Sequence, residues 1–223
     1  MKVVIDPGHG GLQAVGGSSP NNAVGPNGLL EKSVTLDLAL FAQLYLGGLG
    51  VECVLTRQTD VNLGLAARAD VARRIQADAF VSIHFNASKN HDAQGTETWI
   101  HTRASAASRG LAAIVQAGAV AETRYRDRGV KVNSFEVLNP AYHAPGTAAC
   151  LVELSFMDIA TEEARLRDST YKTKLANAVG QSIYGWLVAL GLTSSDPSIA
   201  SKVSPTEDFP EDGFEVTDLL AQN

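Results

Sequence analysis

Four short apolar runs, at residues 3–5, 51–55, 80–83 and 150–154, constrain this chain more than any other feature. Their near-continuous hydrophobicity suits strands buried on both faces, not the alternation of a half-solvated sheet. Segments of helical period lie between them. Residues 30–46 set Leu30, Val34, Leu38, Phe41, Leu44 and Tyr45 along one stripe and run into Gly47-Gly48, a natural stop. Residues 65–76 and 106–122 also read as helices, and a last helix over 171–190 presents Leu175, Val179, Ile183 and Leu187. Residues 96–101 and 132–138 are further strand candidates. This alternation predicts a single α/β domain: a mostly parallel, twisted β-sheet with helices on both faces.

With 223 residues, 45% of them apolar and 19% charged, the chain can bury one sizeable core. Its net charge of −6 is uneven, because Asp196, Glu207, Asp208, Glu211, Asp212, Glu215 and Asp218 face only Lys202 near the C-terminus. Residues 1–192 are therefore expected to form the folded domain. Residues 193–223 are expected to be an acidic tail or linker. A neutral body with an acidic tail gives no electrostatic case for nucleic acid or for anionic membranes. No apolar stretch reaches the ~20 residues of a membrane span, and no secretory signal precedes the first strand. Cys53 and Cys150, each inside an apolar run, read as buried free thiols rather than a disulfide framework.

Chemistry-bearing residues stand at the ends of the strand-like runs. His9 follows the first within Asp6-Pro7-Gly8-His9-Gly10-Gly11, His84 follows the third, and Glu153 follows Cys150-Leu151-Val152. Glu31 opens the first helix, where the helix dipole favours a negative charge. In an open α/β sheet, functional groups gather at the carboxyl ends of the strands. Two imidazoles and two carboxylates at such ends are enough to bind a divalent zinc ion and still leave a base. The loop 11–28 is long for a strand-to-helix connection, and it runs between two of these residues. The Asp6 to Gly11 segment lacks the Gly-Lys-Ser/Thr ending of a phosphate-binding loop.

Five stretches, Val4-Ile5-Asp6-Pro7-Gly8-His9-Gly10-Gly11, Leu30-Glu31-Lys32, Leu55-Thr56-Arg57, Ser82-Ile83-His84-Phe85-Asn86-Ala87 and Leu151-Val152-Glu153-Leu154-Ser155-Phe156-Met157, resemble in this order the motifs of the amidase-3 family of zinc-dependent N-acetylmuramoyl-L-alanine amidases. The resemblance runs over about residues 2–190. It implies an enzyme that cleaves the amide between the lactyl group of N-acetylmuramic acid and L-alanine in peptidoglycan. It also implies one Zn2+ per chain on His9, Glu31 and His84, with Glu153 as the catalytic carboxylate. Asn86 and His143 are candidates for substrate contact. Two departures from the family's pattern, Ser155 in place of Gly and Ile159 in place of Asn, put the shape of the loop after Glu153 in question.

The expected setting is the cell envelope, reached as a phage lysin, as an autolysin released by lysis, or as part of an exported protein. The segment between His84 and Glu153 is largely taken up by two strands and one helix, which leaves little room for the long inhibitory helix of some division-associated relatives. A monomer active on peptidoglycan without an activator is therefore expected. Competing readings are a zinc peptidase or deacetylase, and a non-catalytic wall-binding module. The latter would be expected to have lost a ligand or Glu153.

Overall fold

A computed structural model describes residues 1–192 of the chain. The acidic tail expected over 193–223 lies outside the described residues. Six strands, β1 (Lys2–Pro7), β2 (Glu52–Leu55), β3 (Ala79–Asn86), β4 (Thr96–His101), β5 (Asp127–Asn133) and β6 (Ala148–Phe156), form one sheet in the order β2-β1-β3-β6-β4-β5. All neighbouring pairs are parallel except β4 with β6. The helices are α1 (Glu31–Gly48), α2 (Leu65–Ile75), α3 (Ala106–Thr123), α4 (Ala160–Arg167) and α5 (Ser169–Ala189).

Alternate residues of each strand feed two cores. Val3, Ile5, Val81, Ile83, Cys150, Val152 and Leu154 pack with α1, α3 and α5 in the larger one. Val4, Phe80, Ala149 and Leu151 face the opposite way, toward Ala72 of α2 and Val137 and Leu138 of the 3-10 turn Glu136–Leu138. Helices therefore cover both faces, but unequally. The α2 face has apolar cover over the amino-terminal halves of β3 and β6, while beyond Phe80 and Leu151 it carries Ser82, His84, Asn86 and Glu153.

Three expectations shift. The strand expected over 132–138 is displaced: β5 ends at Asn133, because its pairing with β4 runs from Asp127 to Asn133. Val137 and Leu138 then turn into the second core. On α1 the buried stripe runs through Val34, Leu38, Ala39, Ala42 and Leu46, and Leu44 is 48% exposed. The alanines let α1 approach its neighbours closely. Helix α4 has no counterpart in the sequence reading, being short and highly charged.

Two buried guanidinium groups replace regular backbone pairing at the carboxyl end of β1. Arg68, 1% exposed, donates to Asp6 Oδ1 at 2.8 Å, to the carbonyls of Pro7 and His9 at 2.9 and 2.7 Å, and to Asn62 at 3.0 Å. Arg57 donates to the carbonyls of Pro7, Gly8, Thr59 and Lys32. Asp6 also accepts from Thr56 and Ser82, so its carboxyl stays low despite the burial that opposes ionisation. Arg68→Met strands that carboxylate without its cation. The expected cost is about 3–5 kcal/mol of stability, measured as a loss in the unfolding midpoint in urea at constant slope.

Candidate metal centre

His9, Glu31 and His84 converge at the carboxyl end of the sheet, with ligand-capable atoms all within 4.8 Å of one another. Glu31, fully buried as the first residue of α1, faces His84 Nδ1 through Oε1 at 3.0 Å and His9 Nε2 through Oε2 at 3.3 Å. Each of its oxygens also accepts a backbone N–H, from Phe85 at 3.0 Å and from Ala23 at 2.8 Å. Burial would raise the Glu31 carboxyl, but the hydrogen bonds from His84 and His9 outweigh it and hold the group at about 2. The rings of His9 and His84 meet edge to face, with centroids 4.9 Å apart.

The chain positions His9 by local strain. Its φ of 62° lies in the left-handed region, uncommon for a residue with a side chain. Arg68 holds its carbonyl, and the Gly10 N–H donates to the carbonyl of Pro20 at 3.0 Å. His9 Nδ1 lies 3.1 Å from the Ser19 carbonyl and 3.0 Å from Ser19 Oγ, contacts that orient the ring with Nε2 toward Glu31. His9 is raised overall, because the bond and charge of Glu31 exceed the burial that lowers it. Two imidazoles and one carboxylate make a donor set suited to a divalent cation. They fit zinc on this observation: Nε2 of His9 and Nδ1 of His84 are turned to the same carboxylate.

His84 has room because Gly8 lacks a side chain. A Cβ there would lie 2.4 Å from the imidazole Cε1. Gly8→Ala is expected to weaken zinc affinity by at least about tenfold while leaving the fold intact, as measured by competition with a chromogenic chelator alongside circular dichroism.

Glu153 stands beside this cluster. Residues 84 and 153 are register partners on adjacent parallel strands, so both side chains leave the same face. Glu153 Oε2 is buried and has no hydrogen-bond partner among the described residues. Burial, and then the charges of Glu31 and Glu97, push this carboxyl well above the carboxylate range. Asn86 is on the same rim, but its amide donates to Glu97 at 3.1 Å. His143 does not join them. It is 5% exposed, lies on Phe80 at 4.8 Å with Nε2 2.9 Å from the Val137 carbonyl, and packs where β6 begins rather than where it ends. The ring of His143, a candidate for substrate contact, lies against the second core beneath the sheet, apart from the cluster.

The long loop before α1 is an anchored structure. Asn21 accepts from the Lys32 N–H and donates to the Ala23 carbonyl, closing the turn that aims the Ala23 N–H at Glu31. Lys32 reaches back to the Gly11 carbonyl and to Asp60. Arg57 and Asp60 hold different parts of this web, Arg57 on the carbonyls of Pro7, Gly8 and Lys32 and Asp60 on the Gly11 N–H and Lys32. From α4, Glu163 accepts from the N–H groups of Asn27 and Leu29 at 2.7 and 3.0 Å and pairs with Arg167. The sequence reading missed Glu163. A mid-helix glutamate 136 positions from its partner carries no local signal.

Burial opposes ionisation of Glu163, but these bonds lower it from 4.5 to about 2. A carboxyl depressed in the folded state stabilises fully above its unfolded value and loses that contribution as pH falls through the folded value. The protection of the Asn27 and Leu29 amides, taken relative to intrinsic exchange at each pH, should therefore fall between pH 4.5 and about 2. Glu163→Gln should remove that window.

The departures after Glu153 have local consequences. Ser155 Oγ donates to the buried Glu162 at 2.6 Å, a bond glycine could not make. Ile159 stands at the N-cap of α4 and gives it no side-chain cap.

A mostly parallel α/β sheet brings two histidines, a buried glutamate and a second glutamate with an unpartnered oxygen together at its carboxyl edge, and the first three form a donor set that could hold a metal ion. The chain belongs to the Amidase_3 family, N-acetylmuramoyl-L-alanine amidases, whose sequence model matches residues 3–184. It is 37% identical over 178 residues to N-acetylmuramoyl-L-alanine amidase LytC of Bacillus subtilis, covering 79% of this chain and 34% of LytC. The chain thus spans about a third of that relative. Among solved structures it superposes with a TM-score of 0.75 on the N-acetylmuramoyl-L-alanine amidase of Clostridium difficile 630, at 33% identity, covering 84% of this chain and 97% of that one. For the catalytic domain of CwlV from Bacillus (Paenibacillus) polymyxa var. colistinus the TM-score is 0.74 at 32% identity, covering 84% and 98%.

Proposed function

We propose that this chain is a zinc-dependent N-acetylmuramoyl-L-alanine amidase, hydrolysing the bond between the lactyl carbonyl of N-acetylmuramic acid and the L-alanine nitrogen. The observation that carries this reading is the juxtaposition of Glu153, with its unpartnered Oε2, and the His9–Glu31–His84 cluster across one strand register. His9, Glu31 and His84 would hold one Zn2+, a three-ligand set of the kind used by catalytic rather than structural zinc sites. When bound, zinc supplies a Lewis acid for the carbonyl and lowers the pKa of water toward ~7.

The protein's own groups do the rest. Glu153 takes the proton of the attacking water at its unpartnered oxygen as the C–O bond forms. It then passes that proton to the L-alanine nitrogen as the C–N bond breaks, because an amine cannot leave as an anion. A buried carboxyl with an unpartnered oxygen beside the cluster is suited to both halves of that transfer. The Glu31 carboxylate, held low and bonded on both oxygens, stays charged throughout.

In this reading residues 1–192 are the catalytic domain and 193–223 an appended tail. The substrate is peptidoglycan and the site of action the cell envelope. Among the described residues no helix is long and apolar enough to cross a membrane. Helix α3, between His84 and Glu153 in sequence, packs into the larger core with α5, on the face away from the cluster. In this reading the enzyme acts as a monomer, and the placement of α3 favours a site that needs no activator to uncover it.

Purified protein should contain one zinc per chain and release free L-alanine amino termini from peptidoglycan, both lost on chelation. Glu153→Gln should abolish release, by at least about a thousandfold, while zinc content stays at one. Loss of zinc in that variant would overturn the role given to Glu153. Release of other termini, or of acetate, would identify a peptidase or a deacetylase.

A further inference from the structure

Next to Glu153 on the same face is a second glutamate that the proposed chemistry does not use. Glu97 of β4 is the register partner of Glu153 on the antiparallel neighbour. Its side chain is only 5% exposed and accepts four hydrogen bonds: Arg128 Nε at 2.6 Å and Lys131 Nζ at 2.5 Å on Oε2, Asn86 and Trp99 at 3.1 and 3.2 Å on Oε1. The two cations are far more open, at 30% and 32%. Each is also laid on a ring, Arg128 on Phe156 at 5.0 Å and Lys131 on Trp99 at 5.2 Å, which limits how far it can swing.

The charge balance is uneven. One carboxylate faces two cations, so the group keeps one net positive charge. Only Nε of the Arg128 guanidinium is used on Glu97, and its two Nη groups have no partner among the described residues. An ordinary structural ion pair needs one cation and would not leave donors turned outward beside an acid whose own burial is costly. The arrangement is that of a preset anion receptor: a buried carboxylate positions two partly exposed cations that have donors left over.

We propose that Arg128 and Lys131, positioned by Glu97, bind a carboxylate of the peptide stem and make this enzyme favour stems whose residue after L-alanine bears a free carboxylate over stems in which it is amidated. This inference rests on the amidase reading and adds the stem's charge to it. One strand separates the cations from Glu153, because β4 pairs with β6 on one side and with β5, which carries Arg128 and Lys131, on the other. Strands in a sheet lie about 4.8 Å apart, so the receptor is within two strand spacings of the proposed proton-transfer group. That is the span of a stem residue or two measured from the scissile amide.

The test compares two N-acetylmuramoyl peptides that differ only in that carboxylate or carboxamide, assayed with the zinc-loaded full chain. The wild type should prefer the acid by about tenfold in kcat/KM, carried by KM. Arg128→Gln and Lys131→Gln should each bring the ratio toward one, since either leaves Glu97 paired with the remaining cation but removes the surplus charge. Arg128→Lys should restore much of the preference, and the melting temperature of each variant reports whether it folds. Equal use of both substrates by the wild type, or a preference unchanged in folded variants, would overturn the subsite while leaving the amidase reading intact. No release of L-alanine amino termini from either substrate would overturn both.

Discussion

The burial of the Glu31 carboxylate is the constraint on which the carboxyl edge of this sheet depends. A carboxylate removed from water must be fully bonded or it protonates. Here four donors meet its two oxygens: two imidazoles and the N–H groups of Ala23 and Phe85. Two of the four are main chain, so the group is fixed by backbone on both sides before any cation arrives. Much of the loop between β1 and α1 can be understood as the means of delivering one N–H to one oxygen. Asn21, Gly25 and the Glu163–Arg167 pair all shape the path that puts Ala23 in place. Gly25 belongs to this set because a Cβ there would lie 2.5 Å from the Glu163 carboxyl carbon.

Beneath that layer, arginines stand in for secondary structure. Past the end of β1 the chain has left the sheet, and buried carbonyls there have no ladder to join. Arg57 and Arg68 supply planar, multi-donor groups that collect the carbonyls of Pro7, Gly8 and His9. Their donors offset the cost of holding His9 at a left-handed φ, and Asp6 offsets the cost of burying Arg68 itself. The result is a histidine whose backbone and ring are both held in place.

The sheet and the four chemical positions were legible because each rests on a strong local pattern. Runs 3–5, 80–83 and 150–154 are apolar enough to be central strands, and a residue just past a central parallel strand must be at its carboxyl end. Thr96–His101 was legible as a strand, but its reversed direction was not, since a strand's sense is set by the length and path of its connections. Glu97, Arg68 and Glu163 were opaque for a related reason. Each is a charged residue in an element where charge usually marks a solvated face, and each is buried by partners far away in sequence. His143 misled in the opposite sense. Its loop, rich in Pro and Ala, resembles a surface turn, yet the ring fills space beside Phe80 that an apolar side chain would otherwise take.

The reversal of β4 decides what can stand over the opening. Because β4 runs against β6, only two connections of the β4–α3–β5 unit return to the rim: residues 87–95 and the short link from α3 to β5. The first is drawn aside, with the Ser88 N–H and His91 both held on buried Asp158 at 3.0 and 2.8 Å. No chain of this unit is left to arch across the cluster. A glycan strand offers no free end near most of its stems, so it cannot be threaded into a tunnel and has to be laid in sideways. For the proposed amidase, an edge that this unit does not cross leaves that sideways approach open on the β4 side.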